Sequence, residues 1–248
     1  MQQSNKKAKQ SKEPVRRNIL FRIFKWSLVT FLCIIISTLL WVTVYAFLPV
    51  PGTPLMLIKK FNEGIPINHS WTPIEKIAPD MAIAVISSED SHFTQHNGFD
   101  WEQIKKAREE AKKGKRVRGA STISQQTAKN VFLWNSRTWT RKGLEAYFTV
   151  LIEFIWGKER IMEVYLNSIE MGKGLYGIAA VSKEHFNKTP DKLTRAECAL
   201  IAATLPNPIR YSSKKPTKFV KSRQKKILSE MDFIEKMIKQ ENGKKKIK

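Results

Sequence analysis

The stretch from Glu89 to Asp100 sets Glu89, Asp90, His92, His96 and Asp100 within twelve positions, with Gly98 allowing a turn. The apolar run Met81 to Ile86 ahead of it reads as a buried helix. A carboxylate arriving at the end of such an element is costly to desolvate unless it is paired or put to use. Glu89 is therefore a candidate for acid–base chemistry. A capped helix end followed by a polar loop is the plain alternative. A metal site is a third reading, but His92 and His96 lack a further His or Cys cluster at ligand spacing, which argues against zinc.

A second run lies downstream. Gly119-Ala120-Ser121-Thr122-Ile123-Ser124-Gln125-Gln126-Thr127-Ala128-Lys129-Asn130 is dense in uncharged hydrogen-bonding side chains and carries one lysine. The pair EDxxFxxHxGxD and GxSTIxQQxxKN resembles the peptidoglycan glycosyltransferase family (glycosyltransferase family 51), the module that polymerises lipid II. Three further stretches agree in order: Arg141 to Glu145, Lys158 to Asn167, and Glu170-Met171-Gly172 leading to Gly177. The resemblance covers roughly residues 50 to 215, and several motifs in one order carry far more weight than any one of them alone.

The resemblance implies a mainly α, lysozyme-like two-lobed domain that joins lipid-linked disaccharides into β-1,4 glycan strands and releases undecaprenyl pyrophosphate. It places Glu89 at the general base, which takes the proton from the acceptor's 4-hydroxyl in an inverting displacement. Because the leaving pyrophosphate is an anion, positive charge matters more there than a strong acid. Lys129, Arg137, Arg141 and Lys142 match or adjoin the family's phosphate-contacting positions. Glu145 matches its second glutamate, with the role of orienting those cations or a divalent ion such as Mg2+ that helps without being required. Ser121, Gln125, Gln126 and Asn130 complete the expected substrate-binding set. Ser124 and Thr127 stand where the family most often has Thr and Leu, and neither change removes a group that the reaction needs. The implied partners are lipid II, the growing lipid-linked glycan, the membrane and other cell-wall synthesis proteins, with no nucleic acid.

These residues need elements to hold them. The chain has 248 residues, room for one sizeable domain and an anchor, and its 44 Lys and Arg against 22 Asp and Glu give a net charge of +22. Nucleic acid is the default reading of such a charge. Trp26 to Leu48 argues against it: the segment has no charged residue and is long enough, at ~1.5 Å per residue, for a ~30 Å hydrocarbon core. Lys and Arg crowd the residues before it, and Pro49 to Ile58 carries no charge. That asymmetry predicts a cytoplasmic N-terminus and an extracytoplasmic domain on the bacterial inner membrane. The apolar core is too long, and Val44 to Leu48 too bulky, for a cleaved signal peptide. Cys33 falls in the span and Cys198 in the domain, so no disulfide is expected.

The expected divisions are a basic tail (1–25, with 1–18 disordered), a transmembrane helix (26–48), a linker and domain entry (49–71), the catalytic domain (72–241) and a basic tail (242–248). Pro49, Pro51 and Pro54 predict an extended linker. Thr72-Pro73-Ile74-Glu75 and Thr194-Arg195-Ala196-Glu197 read as capping boxes. Asp100 caps a helix with Trp101, Ile104, Ala107 and Ala111 on its apolar face, ended by Gly114. Lys112 to Arg118 reads as a solvated basic loop or a flap over an anionic substrate.

Ser121 is expected to open a helix on which Ser121, Gln125 and Lys129 share one stripe. Val131 to Trp156 interleaves aromatics with Arg137, Arg141 and Lys142, which suits either core packing or a surface dipping into lipid headgroups. In similar proteins this region is a membrane-touching lobe. Thr217 onward reads as a final amphipathic helix ending near Gly243. No strand pattern of useful length appears. Ser212-Ser213-Lys214-Lys215 fits SxxK, but no KTG box accompanies it. A monofunctional anchored enzyme is expected, against two alternatives: a lytic or hydrolytic glycosidase acting on finished glycan, and a non-catalytic cell-wall scaffold.

Overall fold

The computed structural model describes residues 12–114 and 119–246 and divides into two units, Met1–Tyr45 and Ala46–Lys248. The first unit is carried by helix α1 (Lys12–Phe47). Its Ile19–Phe47 portion contains an 18-residue stretch with a mean hydropathy of 2.3, and Leu20, Phe24, Phe31 and Leu40 lie on an exposed surface. The hydroxyls of Ser37, Thr38 and Thr43 donate to carbonyls of Ile34, Ile35 and Leu39 on their own helix. Hydrocarbon demands such internal satisfaction, because it offers no water to bond.

The helix begins well before Trp26, so residues 12–18, expected to be disordered, are helical; residues 1–11 lie outside the described part. Lys and Arg are good helix formers, and charge marks the limit of an apolar run without ending the helix.

In the second unit the expected linker is partly helical. Pro54 opens α2 (Pro54–Glu63) from the first-turn position that proline tolerates, and Thr53 caps it by accepting from the Met56 N–H. The expected capping box at Thr72 does not form. Ile74–Lys76 makes a single 3-10 turn without a side-chain cap, and the Thr72 N–H instead donates to Asn167 Oδ1 at 2.7 Å.

The remaining helices are α3 (Pro79–Glu89), α4 (Trp101–Lys112), α5 (Ile123–Phe132), α6 (Trp139–Ile155), α7 (Gly157–Ser168), the short α8 (Gly177–Val181), α9 (Arg195–Thr204) and α10 (Lys218–Lys246). The fold is mainly helical. It also contains a strand pairing too short for a sequence pattern: β1 (Asn68–His69) runs parallel to β3 (Leu175–Tyr176), which pairs antiparallel with β2 (Glu170–Gly172). Gly177 begins α8 at φ +77°, where a Cβ would lie 2.5 Å from the Asn167 carbonyl oxygen, so this close approach requires glycine.

Two helix groups make the core. In one, α3 packs on α9 and α10; in the other, α5 packs on α6 and α7. Met81, Ala84 and Val85 of α3, Ile201 and Ala202 of α9, and Val220, Met231 and Ile234 of α10 fill the first. Arg195 joins its three helices by pairing with Asp80, Asp232 and Glu235. Phe132 stacks on Phe148 with ring centroids 4.6 Å apart in the second, and Trp156 lies against Phe132. The aromatic region thus divides by residue: Phe132, Phe148 and Trp156 are core, whereas Trp139 and Phe154 are 91% and 90% exposed.

The capping box at Thr194 forms as expected. The α4 helix buries none of its residues, and its expected apolar face includes a Trp101 that is 71% exposed. The last helix runs past Gly243 to Lys246. Cys33 is exposed on α1, and Cys198 is buried and unpaired.

Candidate active site

Glu89 ends α3, half-buried, at the meeting of the two helix groups. Its Oε1 lies 3.3 Å from the Ser88 hydroxyl, and its Oε2 accepts from Gln126 Nε2 at 3.0 Å. Behind Ser88 stand the Ala202 carbonyl, at 3.2 Å, and Arg223 of α10, whose Nη2 is 3.4 Å from the same hydroxyl. Behind Gln126 stands Tyr165 of α7, its hydroxyl 3.4 Å from Gln126 Oε1. Burial, with the charges of Glu89 and Asp90 nearby, holds that phenol well above its ordinary pKa, so it stays a donor. Among the described residues no cation makes an ion pair with Glu89.

The loop after Glu89 is fastened by its own charges. Asp90 is buried and accepts from His96 Nε2 at 3.0 Å and from the Ile123 N–H at 3.0 Å. Ile123 is the first residue of α5, where free N–H groups and the helix dipole favour a carboxylate. Asp100 bonds His92 Nδ1 at 2.8 Å and caps α4 through the Gln103 N–H. Burial works to raise the Asp100 pKa, but the Gln103 N–H and His92 outweigh it and hold the carboxyl below the usual aspartate value. Gly98 takes φ +89°, and a Cβ there would come within 2.8 Å of Thr149 Cγ2, so glycine lets the loop lie directly on α6.

The second motif differs from the expected stripe. Helix α5 starts at Ile123 and not at Ser121, because Thr122 is its N-cap in a reciprocal capping box with Gln125. Ser121 is therefore exposed and outside the helix. Gln125 is buried, its amide oxygen spent on the Thr122 N–H. The structure brings Gln126, the neighbouring glutamine, to Glu89 instead. Asn130 is buried further along α5. Ser124 donates to Glu153, which also pairs with Lys158, and Thr127 donates to the Ile123 carbonyl.

Lys129, three residues beyond Gln126 and so ~4.5 Å further along α5, faces a different environment. Burial is the main cause that lowers its pKa; Glu145 opposes this, and Arg141, Lys142 and Lys59 add to it. Its ammonium makes no ion pair among the described residues, whereas Lys59 is held by Glu170. On α6, Glu145 is buried and accepts from both Arg141 and Lys142, at i−4 and i−3. Arg141 is fixed further by Nε donating to the Ser136 carbonyl. Arg137 is exposed in the turn between α5 and α6 and makes no ion pair with Glu145.

On the other side of Glu89 lies a cavity of about 750 Å³. Its walls include Glu89, His92, Gln95 and Gln103 with Phe233 and Met237 of α10, and the α5–α6 cations do not line it. The basic loop that follows α4 includes residues 115–118, which lie outside the described part.

Both carboxylate oxygens of Glu145 accept from cations, Arg141 and Lys142, so a divalent ion there would have to share them. No group of three His, Cys, Asp or Glu suited to a metal occurs among the described residues. His92 and His96 are each committed to an aspartate. Of the SxxK run, Ser213 is buried against His185 Nδ1 and Lys214 pairs with Glu184.

Ser88, Tyr165 and Arg223 were not singled out from the sequence. Tyr165 sits in a motif-bearing helix but had no spacing that tied it to Glu89, and Arg223 is one of many cations on α10.

Comparison with known proteins gives a consistent result. The model of the family described as Transglycosylase matches residues 56–232. A "Biosynthetic peptidoglycan transglycosylase" of Bacteroides thetaiotaomicron is 57% identical over 205 residues, covering 81% of this chain and 83% of the relative. A protein of the same description from Bdellovibrio bacteriovorus is 50% identical over 83% of this chain and 84% of its own. One from Pasteurella multocida is 42% identical over 92% and 96%.

Proposed function

The chain belongs to the transglycosylase family and is a peptidoglycan glycosyltransferase of cell-wall synthesis, and on that premise we propose that it polymerises lipid II with Glu89 as general base. The observation that carries the reading is the separation of two environments along α5. Gln126 meets a carboxylate that no cation pairs with among the described residues, and Lys129 meets a cation group gathered by Glu145.

The reaction then follows from charge. The acceptor's 4-hydroxyl approaches Glu89 from the polar cavity and gives it a proton as its oxygen attacks the donor's anomeric carbon. The bond from that carbon to the pyrophosphate breaks, and the electron pair leaves on the phosphate oxygen. Lys129, Arg141 and Lys142 offset the developing negative charge in a partly buried site, where it counts most. Inversion turns the α-linked donor into a β-1,4 bond, and Glu89 passes its proton to solvent before the next cycle. Undecaprenyl pyrophosphate is the other product. No step requires a metal.

The apolar helix Ile19–Phe47 supports a single-pass anchor. The basic residues ahead of Trp26 support a cytoplasmic N-terminus and a catalytic unit on the outer face of the inner membrane.

Purified chain incubated with lipid II in detergent is expected to yield polymer and undecaprenyl pyrophosphate. Shortening of added finished glycan would indicate a lytic enzyme, and no change in either substrate a scaffold.

A further inference from the structure

We infer that Tyr165 and Gln126 are positioning residues for Glu89: the Tyr165 hydroxyl holds the Gln126 amide so that its NH2 is always presented to the base. The inference rests on the proposed role of Glu89 as base.

The chemistry of the three groups fixes the direction of the chain. An ionised carboxylate only accepts hydrogen bonds, so Gln126 must turn its NH2 to Glu89 Oε2, at 3.0 Å. That leaves Gln126 Oε1 facing Tyr165, whose hydroxyl is 3.4 Å away and can donate to it. A flipped amide would set its oxygen against the carboxylate and its NH2 against the phenol. The carboxylate, which can only accept, resists the flip, and the Tyr165 hydroxyl, which stays protonated in its buried place, adds a donor to the Gln126 oxygen in the unflipped arrangement. Tyr165 is fully buried, and α7 packs on α5, so the hydroxyl is held by the core itself.

The groups around Glu89 make this contact distinctive. From α3 comes Ser88, and from the loop after it Asp90, committed to His96 and to the Ile123 N–H. From α9 comes the Ala202 carbonyl, and from α10 comes Arg223, both acting on Ser88 and not on Glu89. Ser88 has one proton to give and two acceptors within reach. Gln126 is thus the one neighbour among the described residues whose donor is committed to the base. Its loss frees Glu89 to turn and removes a hydrogen bond that favours the charged form.

The test is a double-mutant cycle with Tyr165→Phe, which keeps the buried ring, and Gln126→Met, which keeps length without a donor. Each single change is expected to lower kcat by about 5–30-fold with KM little altered. Each should also move the acidic limb of the kcat–pH profile upward. In the Gln126→Met background, Tyr165→Phe should have no further effect on either quantity. Multiplying effects, or an unmoved acidic limb in a folded single variant, overturn the inference. If Tyr165→Phe fails to fold, an unmoved acidic limb in Gln126→Met overturns it equally. Glu89→Gln measured alongside separates the two levels: near wild-type turnover there would sink the base itself. A dead Glu89→Gln beside unaffected Tyr165 and Gln126 variants would sink only the positioning.

Discussion

Two carboxylates of this domain end in opposite situations. Glu89 is half-buried, beside the hydroxyl of Ser88 and the amide of Gln126, and lines a cavity of about 750 Å³. Glu145 is buried and bonded on both oxygens by cations. The first keeps room for a proton from an incoming hydroxyl. The second has a cation on each oxygen, and in the proposed reading it holds Arg141 and Lys142 where an anion can meet them. Residue type does not separate the two glutamates; their neighbours do.

The comparison breaks most readily at Glu89. Glu89→Gln keeps the size and much of the hydrogen bonding but cannot take a proton, so turnover should fall by ~10²–10⁴-fold or more. Lipid II binding, measured on the same protein, should be largely retained. Near-normal turnover would move the base to another group, with Asp90 the next candidate.

Glu145→Gln should fail differently. It leaves two cations without their carboxylate, so loss should appear mainly as weaker donor binding, on the order of 10–100-fold, together with a lower Tm. If its binding and turnover changes match those of Glu89→Gln, the division of roles is wrong.

Lys129 sharpens the same contrast. Burial lowers its pKa, so the charged lysine opposes folding at pH values below its unfolded value. That opposition fades as pH rises through the lowered folded value. Lys129→Met should therefore lose donor binding yet melt no lower than the parent, and by about 1–3 °C higher at neutral pH. The gap should narrow in alkaline buffer. A clear fall in Tm would mean that Lys129 is stabilised by its surroundings and not held in reserve for an anion.

The smallest effect is expected at Asp100, which caps α4 on the cavity side of Glu89. Its carboxyl is held below the ordinary value, so its stabilisation is complete above the unfolded pKa and is lost as pH falls through the folded one. Asp100→Ala should cost about 0.5–2 kcal/mol at pH 7 by denaturant titration. Near pH 3 the difference from the parent should shrink, and an unchanged gap there would assign the loss to packing alone.

The sequence by itself determined the features that depend on neighbours in the chain. The apolar run of α1, the cap at Asp100, the capping box at Thr194 and the buried face of α10 follow from period and local hydrogen bonding. The Arg141–Lys142–Glu145 group belongs with these, since positions three and four apart on one helix must meet.

Only the tertiary structure decided which of two adjacent glutamines serves Glu89. Gln125 and Gln126 differ by ~100° around a helix; the capping box at Thr122 takes Gln125, and the packing of α5 brings Gln126 to Glu89. Long-range pairing also decided that Tyr165 stands behind Gln126, that Arg223 stands behind Ser88, and that Asp90 closes on the Ile123 N–H. Periodicity tells which face of a helix is buried; it carries no information about what will be packed against it.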